Sequence, residues 1–423
     1  MSAATGITIP TDDQPGRRVR LPRIGPTRVL LILLGVIAVL SVVRVISGAN
    51  DIDSSGSLNA AVTLAVPIGL AGLGGLWSER AGIVNIGLEG MLILGTWGAG
   101  WAGYQWGPWA GVGMAIVMGA IGGLVHAIAT VGFGVDHIVS GVAITILAGG
   151  TVQYLSDEAF TGVPGGGGTQ SPPIGDLPAL TIPGVSDQLL TIEKHHWFFV
   201  SDLAAALRAL TFDLSSLTII AVLLVVASFF VLWRTSFGLR LRACGESPWA
   251  AESLGVNVYR YKALAVVASG ALAGLGGGFL AIVASSQYRE GQTGGRGYIG
   301  LAAMIFGNWR PGGLVVGAGL FGYTDALQLR SGGESVHALL LVMAVLLIGA
   351  AVWAWVRARK VQSVVAAVLG VAVLVWYFST KEIPAQFTQM TPYVATLLVL
   401  AAASQRLRMP AADGIPYRKG QGG

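Results

Sequence analysis

In the stretch SERAGIVNIGLEGMLILG (78–95), Asn85 and Glu89 stand four residues apart among apolar residues and glycines. A carboxylate and an amide at that spacing could bind a polar solute, relay a proton or tie two helices together. On a helix, Gly82, Asn85 and Glu89 (i, i+3, i+7) fall on one stripe. Six residues past the inner end of a span, Glu89 would lie about 9 Å deep. An unpaired charge there costs at least about 2.5–3.5 kcal/mol on insertion scales, so the stripe should face protein or water. It either lines a translocation path or braces a helix beside one. Glu79 and Arg80, at the inner boundary, read as interfacial charges. Other reactive groups are few. The single cysteine, Cys244, excludes an internal disulfide and a multi-cysteine metal site. His195 and His196 have no third ligand nearby and read as a solvated pair, so no metal site is expected. None of the five lysines follows a glycine, so there is no phosphate-cradling G-x-x-x-x-G-K-[ST]. No H-E-x-x-H, paired intramembrane acid or nucleophile with a base points to an enzyme. Asp325 and Glu89 are the main candidates for an ion relay, and neither has an obvious charged partner in sequence.

The elements that must position these groups are membrane helices. The 423 residues are 53% hydrophobic and 11% charged, against roughly 25% charged in soluble domains. Apolar runs of about 17–22 residues recur, each long enough to cross a hydrocarbon core of about 30 Å. This predicts an all-α polytopic membrane protein with about 10–12 transmembrane helices. The candidate spans are 29–47, 59–76, 83–103, 110–131, 137–155, 216–233, 263–284, 298–308, 312–329, 338–356, 362–378 and 390–404. The eighth is too short to cross alone and reads as a half-spanning or broken segment. With the N-terminus inside and sides alternating, 19 of the 26 Lys and Arg residues fall inside, as the positive-inside rule requires. Both termini are then cytoplasmic: tail 1–28 and tail 406–423 flank a transmembrane domain at 29–405. The net charge of +5 follows from those loops and calls for no nucleic acid.

Two connections stand out. Residues 156–214 form a long outer loop in which 197–210 reads as a short amphipathic helix on the interface. The inner loop 234–262 is more informative. Ser247 suits a helix cap, Pro248 its first position and Gly255 its end, which predicts about two turns flanked by Arg240, Arg242, Arg260 and Lys262. It reads as a docking knob for a soluble partner or as a connector. If the chain is not passive, its energy arrives through another subunit, and this helix offers a place for that. Gly270, Gly274 and Gly278 predict a close helix contact beside it. The likeness of IGLEGM (86–91) to IGLAAM (299–304) hints at an internal pseudo-repeat, with Gly300 on the path beside Asn85 and Glu89.

The blocks LWSERAGIVNIGLEGMLILGT, GLRLRACGESPWAAESLGVNV, RGYIGLAAMIFGNWRPGG and PAADGIPYRKG together resemble the membrane-spanning permease of ABC importers for nucleosides and simple sugars. The likeness runs from about residue 58 to 420, and NIGLEGM after SERAG points to the nucleoside branch. It implies a type II importer permease in a bacterial plasma membrane. A cytoplasmic ABC ATPase, a second permease (as a heterodimer) and an extracytoplasmic binding lipoprotein would be its partners. ATP and Mg would bind the ATPase, with no cofactor on this chain. The resemblance further implies that 238–258 is the coupling loop held by the ATPase. Gly238, Arg240, Arg242, Gly245, Glu246, Ala250, Ala251 and Gly255 would be its residues. A simple-sugar permease of the same architecture and a gradient-driven carrier are the alternatives.

Overall fold

The computed structural model describes residues 26–388, 390, 391, 394 and 407–420. The expected cytoplasmic tail 1–28 and the span 390–404 lie largely outside the described residues. The described residues are mostly helical: α1 (Pro26–Ser47), α2 (Ser55–Arg80), α3 (Leu88–Trp106), α4 (Pro108–Ala127, continued by a π turn to Gly132) and α5 (His137–Phe160) come first. After a connection carrying α6 (Val185–Glu193) and α7 (Val200–Ala209) follow α8 (Ser216–Arg234), α9 (Ser236–Glu246) and α10 (Pro248–Ser253). Next are α11 (Val258–Phe279, with a π turn to Ala284), α12 (Arg296–Phe306), α13 (Pro311–Val356), α14 (Lys360–Ser379) and the single turn α15 (Ala385–Thr388). Two-residue strands β1 (Ala179–Leu180) and β2 (Leu214–Ser215) pair antiparallel and close the long connection.

Among the described residues, seven helical stretches are long and apolar enough to cross a membrane: 55–80, 108–132, 137–160, 216–234, 258–284, 333–356 and 360–379. The apolar window of 258–284 is 72% buried and that of 360–379 only 11%, so α11 lies at the centre and α14 at the rim. Glycine makes the centre possible. An added Cβ on Gly270 or Gly274 would strike the backbone of α4 at Gly119 or Ala115, and one on Gly278 would meet Ala115 Cβ at 2.7 Å. Helices this close gain van der Waals contact where lipid offers no hydrophobic drive.

Three expectations need correction. The span expected at 83–103 starts only at Leu88, because residues 81–87 leave the helix after Gly82 takes a left-handed φ of +84°. Gly82, Asn85 and Glu89 therefore do not share a helical stripe. The two spans expected at 312–329 and 338–356 form one helix of 46 residues, about 70 Å at about 1.5 Å per residue. The expected outer turn near Arg330 does not break it, since Gly332 and Gly333 weaken a helix by only about 1 kcal/mol each and no proline intervenes. Third, Leu88 opens α3 whereas Leu301 is the sixth residue of α12. The IGLEGM and IGLAAM segments thus sit at different helical positions and do not mark matching ends of two halves.

The 161–215 connection is clasped to α1 and α2. Arg44 pairs with Asp202 at 3.2 Å and Asp53 at 3.5 Å, Arg208 donates to Ser55 Oγ at 2.6 Å, and Glu193 accepts from the Ser55 backbone at 2.8 Å. Burial, reinforced by neighbouring Asp202 and opposed by Arg44, pushes the Asp53 carboxyl up to about 8. The docked clasp therefore holds a proton that the opened one releases. Its contribution is full below about pH 4 and is lost as pH rises through about 8. Amide exchange of 200–209, corrected for intrinsic rate, should accelerate between about pH 4 and pH 8. The Asp53→Asn variant should flatten that dependence.

Candidate functional site

The interior is organised around α12, a half-helix whose first turn lies among other helices. A buried helix start leaves its first backbone N–H groups without partners, which in a membrane costs several kcal/mol per group. Glu89 answers this. Its Oε1 accepts from Gly295 N at 3.0 Å and its Oε2 from Gly297 N at 2.7 Å. The approach needs glycine, since a Cβ on Gly297 would sit 2.6 Å from Glu89 Cα. Beside it Arg296, the first residue of α12, pairs with Asp325 of α13 at 2.6 Å. Asp325 thus has the charged partner that its sequence neighbourhood did not reveal. Gly300, one turn on, packs against Ile68 O and Gly72 of α2.

The irregular segment 81–87 is fixed by side chains, among them Ser78, whose Oγ donates to Ile83 O at 2.6 Å. Asn85 donates to Ser269 Oγ of α11 at 2.9 Å. His126 Nε2 and Nδ1 lie 3.1 Å from Val84 O and 2.9 Å from Ser140 Oγ. The Val84 N–H reaches His137 Nδ1 at 3.4 Å. Buried Lys262 lies 3.5 Å from Gly82 O. Gly82, Asn85, Glu89 and Gly300 are all buried in helix contacts. His126 and His137 went unseen in the sequence because each stands alone in an apolar helix, where only the fold supplies its partner.

On the other side of α12, the end of α2, the α9–α10 segment and residues 407–420 form one assembly. Gly245 packs against the Arg80 carbonyl so tightly that a Cβ would overlap it. Arg80 donates to Trp309 O at 2.7 and 3.0 Å, and Trp309 Nε1 donates to Glu79 Oε2 at 2.5 Å. The 410–417 strap crosses this junction. Ala412 N donates to Gly245 O at 2.9 Å, Ala411 N reaches Glu246 Oε2 at 3.3 Å, and Tyr417 packs on Tyr259 and Trp249. Asp413 is buried facing Glu79, and burial raises its carboxyl to about 7 against the pull of Lys262 and Arg80. Glu79 and Arg80 are thus parts of a joint, where the sequence suggested plain interfacial charges.

Within the α9–α10 segment the expected residues divide by direction. Gly238, Gly245 and Ala251 are buried. Arg242 is turned inward, donating to Leu232 O at 2.9 Å. Arg240, Glu246, Ala250 and Gly255 are exposed. Gly255 has φ +80° and ends α10 as expected, and Pro248 opens it. Ser247 occupies the cap position but makes no side-chain capping bond. Residues 236–246, expected as loop, are helix α9, started by Thr235, whose Oγ1 accepts from Gly238 N. Leu254, unremarked in the sequence, is 84% exposed, an apolar tip that only the local geometry reveals. Cys244 is buried here, its thiol raised to about 11 by burial.

Away from this face, the exposed His195 ring lies 2.7 Å from Thr191 O and 4.8 Å from the Trp197 ring.

The chain is thus a helical polytopic protein with a capped buried half-helix and a short helical knob packed on its core. The comparisons give its class: residues 57–352 match the family described as branched-chain amino acid transport system / permease component. The chain belongs to that family, and is a permease subunit of an ATP-binding-cassette transporter. It is 32% identical to the guanosine ABC transporter permease protein NupQ of Bacillus subtilis, over 86% of this chain and 96% of that one. It is 31% identical to the nucleoside ABC transporter permease protein NupC of Lactococcus lactis, over 84% and 93%. It is 36% identical to the putative glucose ABC transporter permease protein TsgC13 of Haloferax volcanii, over 66% and 78%. No solved structure matches.

Proposed function

We propose that this chain forms part of the import path for nucleosides, driven by ATP and Mg bound on a cytoplasmic ATPase. A second permease, completing a heterodimer, and an extracytoplasmic binding lipoprotein would be the other partners. The α9–α10 segment is the ATPase-coupling element. The observation that carries this is its two-sidedness: Leu254, Ala250 and Glu246 face outward, while Gly245 is pressed on the end of α2. A partner that grips the outer side moves α2 directly, and α2 packs along α12 at Gly72 and Gly300. Packed helices of this kind switch between discrete arrangements, provided the two nucleotide states of the partner hold the knob differently.

The same assembly supports one orientation. The coupling segment and the 407–420 strap share one face, which we place in the cytoplasm of a bacterial cell. The Arg44–Asp53–Asp202 clasp lies on the outer face. Both termini are then cytoplasmic.

The nucleoside reading rests on the NupQ and NupC relatives, which align over most of the chain. A simple-sugar cargo is the second reading, favoured by the relative named for glucose. Uptake of labelled guanosine into vesicles carrying the assembled importer decides between them. Excess unlabelled nucleoside should reduce uptake by at least about tenfold and excess glucose by less than about twofold. Accumulation of labelled glucose, with no uptake of guanosine, would replace the first reading by the second.

A further inference from the structure

We propose that the cavity between α3, α5 and the 288–293 segment is a binding subsite for a neutral, hydrogen-bonding solute with an apolar face. This deepens the nucleoside reading and rests on it for the identity of the cargo. The cavity holds about 240 Å3, below the roughly 300–1,000 Å3 of drug-sized sites, which suits a single small solute. Ile93 and Thr96 of α3, Val152 and Gln153 of α5, and Tyr288 and Gln292 form much of its wall. Gly149 lines it as well, and a Cβ there would meet nothing within 4 Å, so this part of the wall is unfilled.

The polar groups are poised for a partner. Gln292 Oε1 accepts from Ser285 Oγ and from Arg289 N, both at 3.1 Å. Those bonds fix the amide, and its Nε2 is buried without a partner among the described residues. A buried donor left unmade costs about 1–3 kcal/mol, which a solute acceptor would recover. Gln153, exposed on the opposite wall, offers both a donor and an acceptor. Arg289 and Glu290 cancel each other's charge at the rim. With the Gln287 amide turned to accept, its oxygen engages Arg289 Nε at 2.6 Å and Nη2 at 2.9 Å. A phosphate or a lone carboxylate would find no net positive charge here, whereas hydroxyls and ring nitrogens would find amides. Ile93 and Val152 supply the apolar wall.

Position gives the subsite a consequence. The 288–293 segment leads within two residues to Gly295, whose N–H is held by Glu89. A solute in the cavity therefore bears on the chain that starts the half-helix.

The test uses a Gln153→Cys variant of the assembled importer in membrane vesicles, where native Cys244 is buried. A charged methanethiosulfonate reagent should modify the introduced thiol, and saturating guanosine should slow that reaction by at least about fivefold. In parallel, Gln292→Ala should raise KM for guanosine about five- to tenfold, the loss of one hydrogen bond, with kcat within about twofold. Protection by glucose, in an importer that carries glucose and not guanosine, would uphold the subsite and overturn the nucleoside reading. An importer that accumulates guanosine yet shows neither protection nor a raised KM would overturn the subsite and leave that reading standing. Protection by leucine alone, in an importer that carries leucine, would overturn the neutral-solute assignment.

Discussion

Glu89→Leu should all but abolish transport, while the protein should still insert. The carboxylate caps the start of α12 with two short bonds, to Gly295 N and Gly297 N. Each bond from a charged acceptor is worth about 1.5–3 kcal/mol net, and removal leaves two buried N–H groups unpaired. Leucine supplies no acceptor and must fit where the backbones are so close that a Cβ on Gly297 would lie 2.6–2.8 Å from Glu89 atoms. The half-helix then frays from its first turn, and the adjacent Arg296–Asp325 pair loses its register. Uptake should fall by at least about 100-fold. Glu89→Gln keeps one acceptor oxygen but turns an NH2 towards the second N–H, so a loss of about 10-fold is expected. Had Glu89 served as a substrate ligand facing the path, glutamine would alter KM with the half-helix intact. Limited proteolysis of the 285–310 region separates the two cases, since only loss of the cap exposes it.

The second large effect lies at the proposed coupling face, where two substitutions should fail differently. Gly245→Val drives a side chain into the Arg80 carbonyl and detaches the knob from α2. The ATPase should still bind, because the outward face is intact, but ATP hydrolysis should no longer move solute. Uptake should fall by at least about 50-fold, with copurification of the ATPase preserved. Leu254→Asp leaves the core untouched, since Leu254 is 84% exposed, and puts a charge at the apolar tip of the contact. Truncating a central interface anchor commonly costs 2 kcal/mol or more, roughly 30-fold, so here copurification itself should be lost. If both variants copurified normally and transported normally, the α9–α10 segment would be a connector.

Much of this architecture was legible in the sequence. The apolar runs name the helices, and the scarcity of charge excludes a soluble fold. Pro248 and Gly255 mark α10 because proline and a left-handed glycine are local devices. Position 8 in the span series was correctly too short to cross, and it is the half-helix α12. What could not be read was pairing across the fold. Glu89 looked like one face of a helix with Asn85, but Gly82 breaks that helix, and its partner amides are about 200 residues away. Asp325 looked unpaired because Arg296 stood in what read as an outer loop. The continuity of α13 also escaped, since Ser331, Gly332 and Gly333 look like a turn and here lie within a helix. Leu254 carries no pattern of its own, being one more leucine until its exposure is known.

Reconstituted vesicles test the central claim most directly. With binding protein outside, permeases in the bilayer and ATPase inside, guanosine uptake should require ATP. It should fall to background when the ATPase is omitted, whatever proton or sodium gradient is imposed. Accumulation driven by such a gradient in vesicles lacking the ATPase would contradict the account, because the α9–α10 knob would then have no engine to obey.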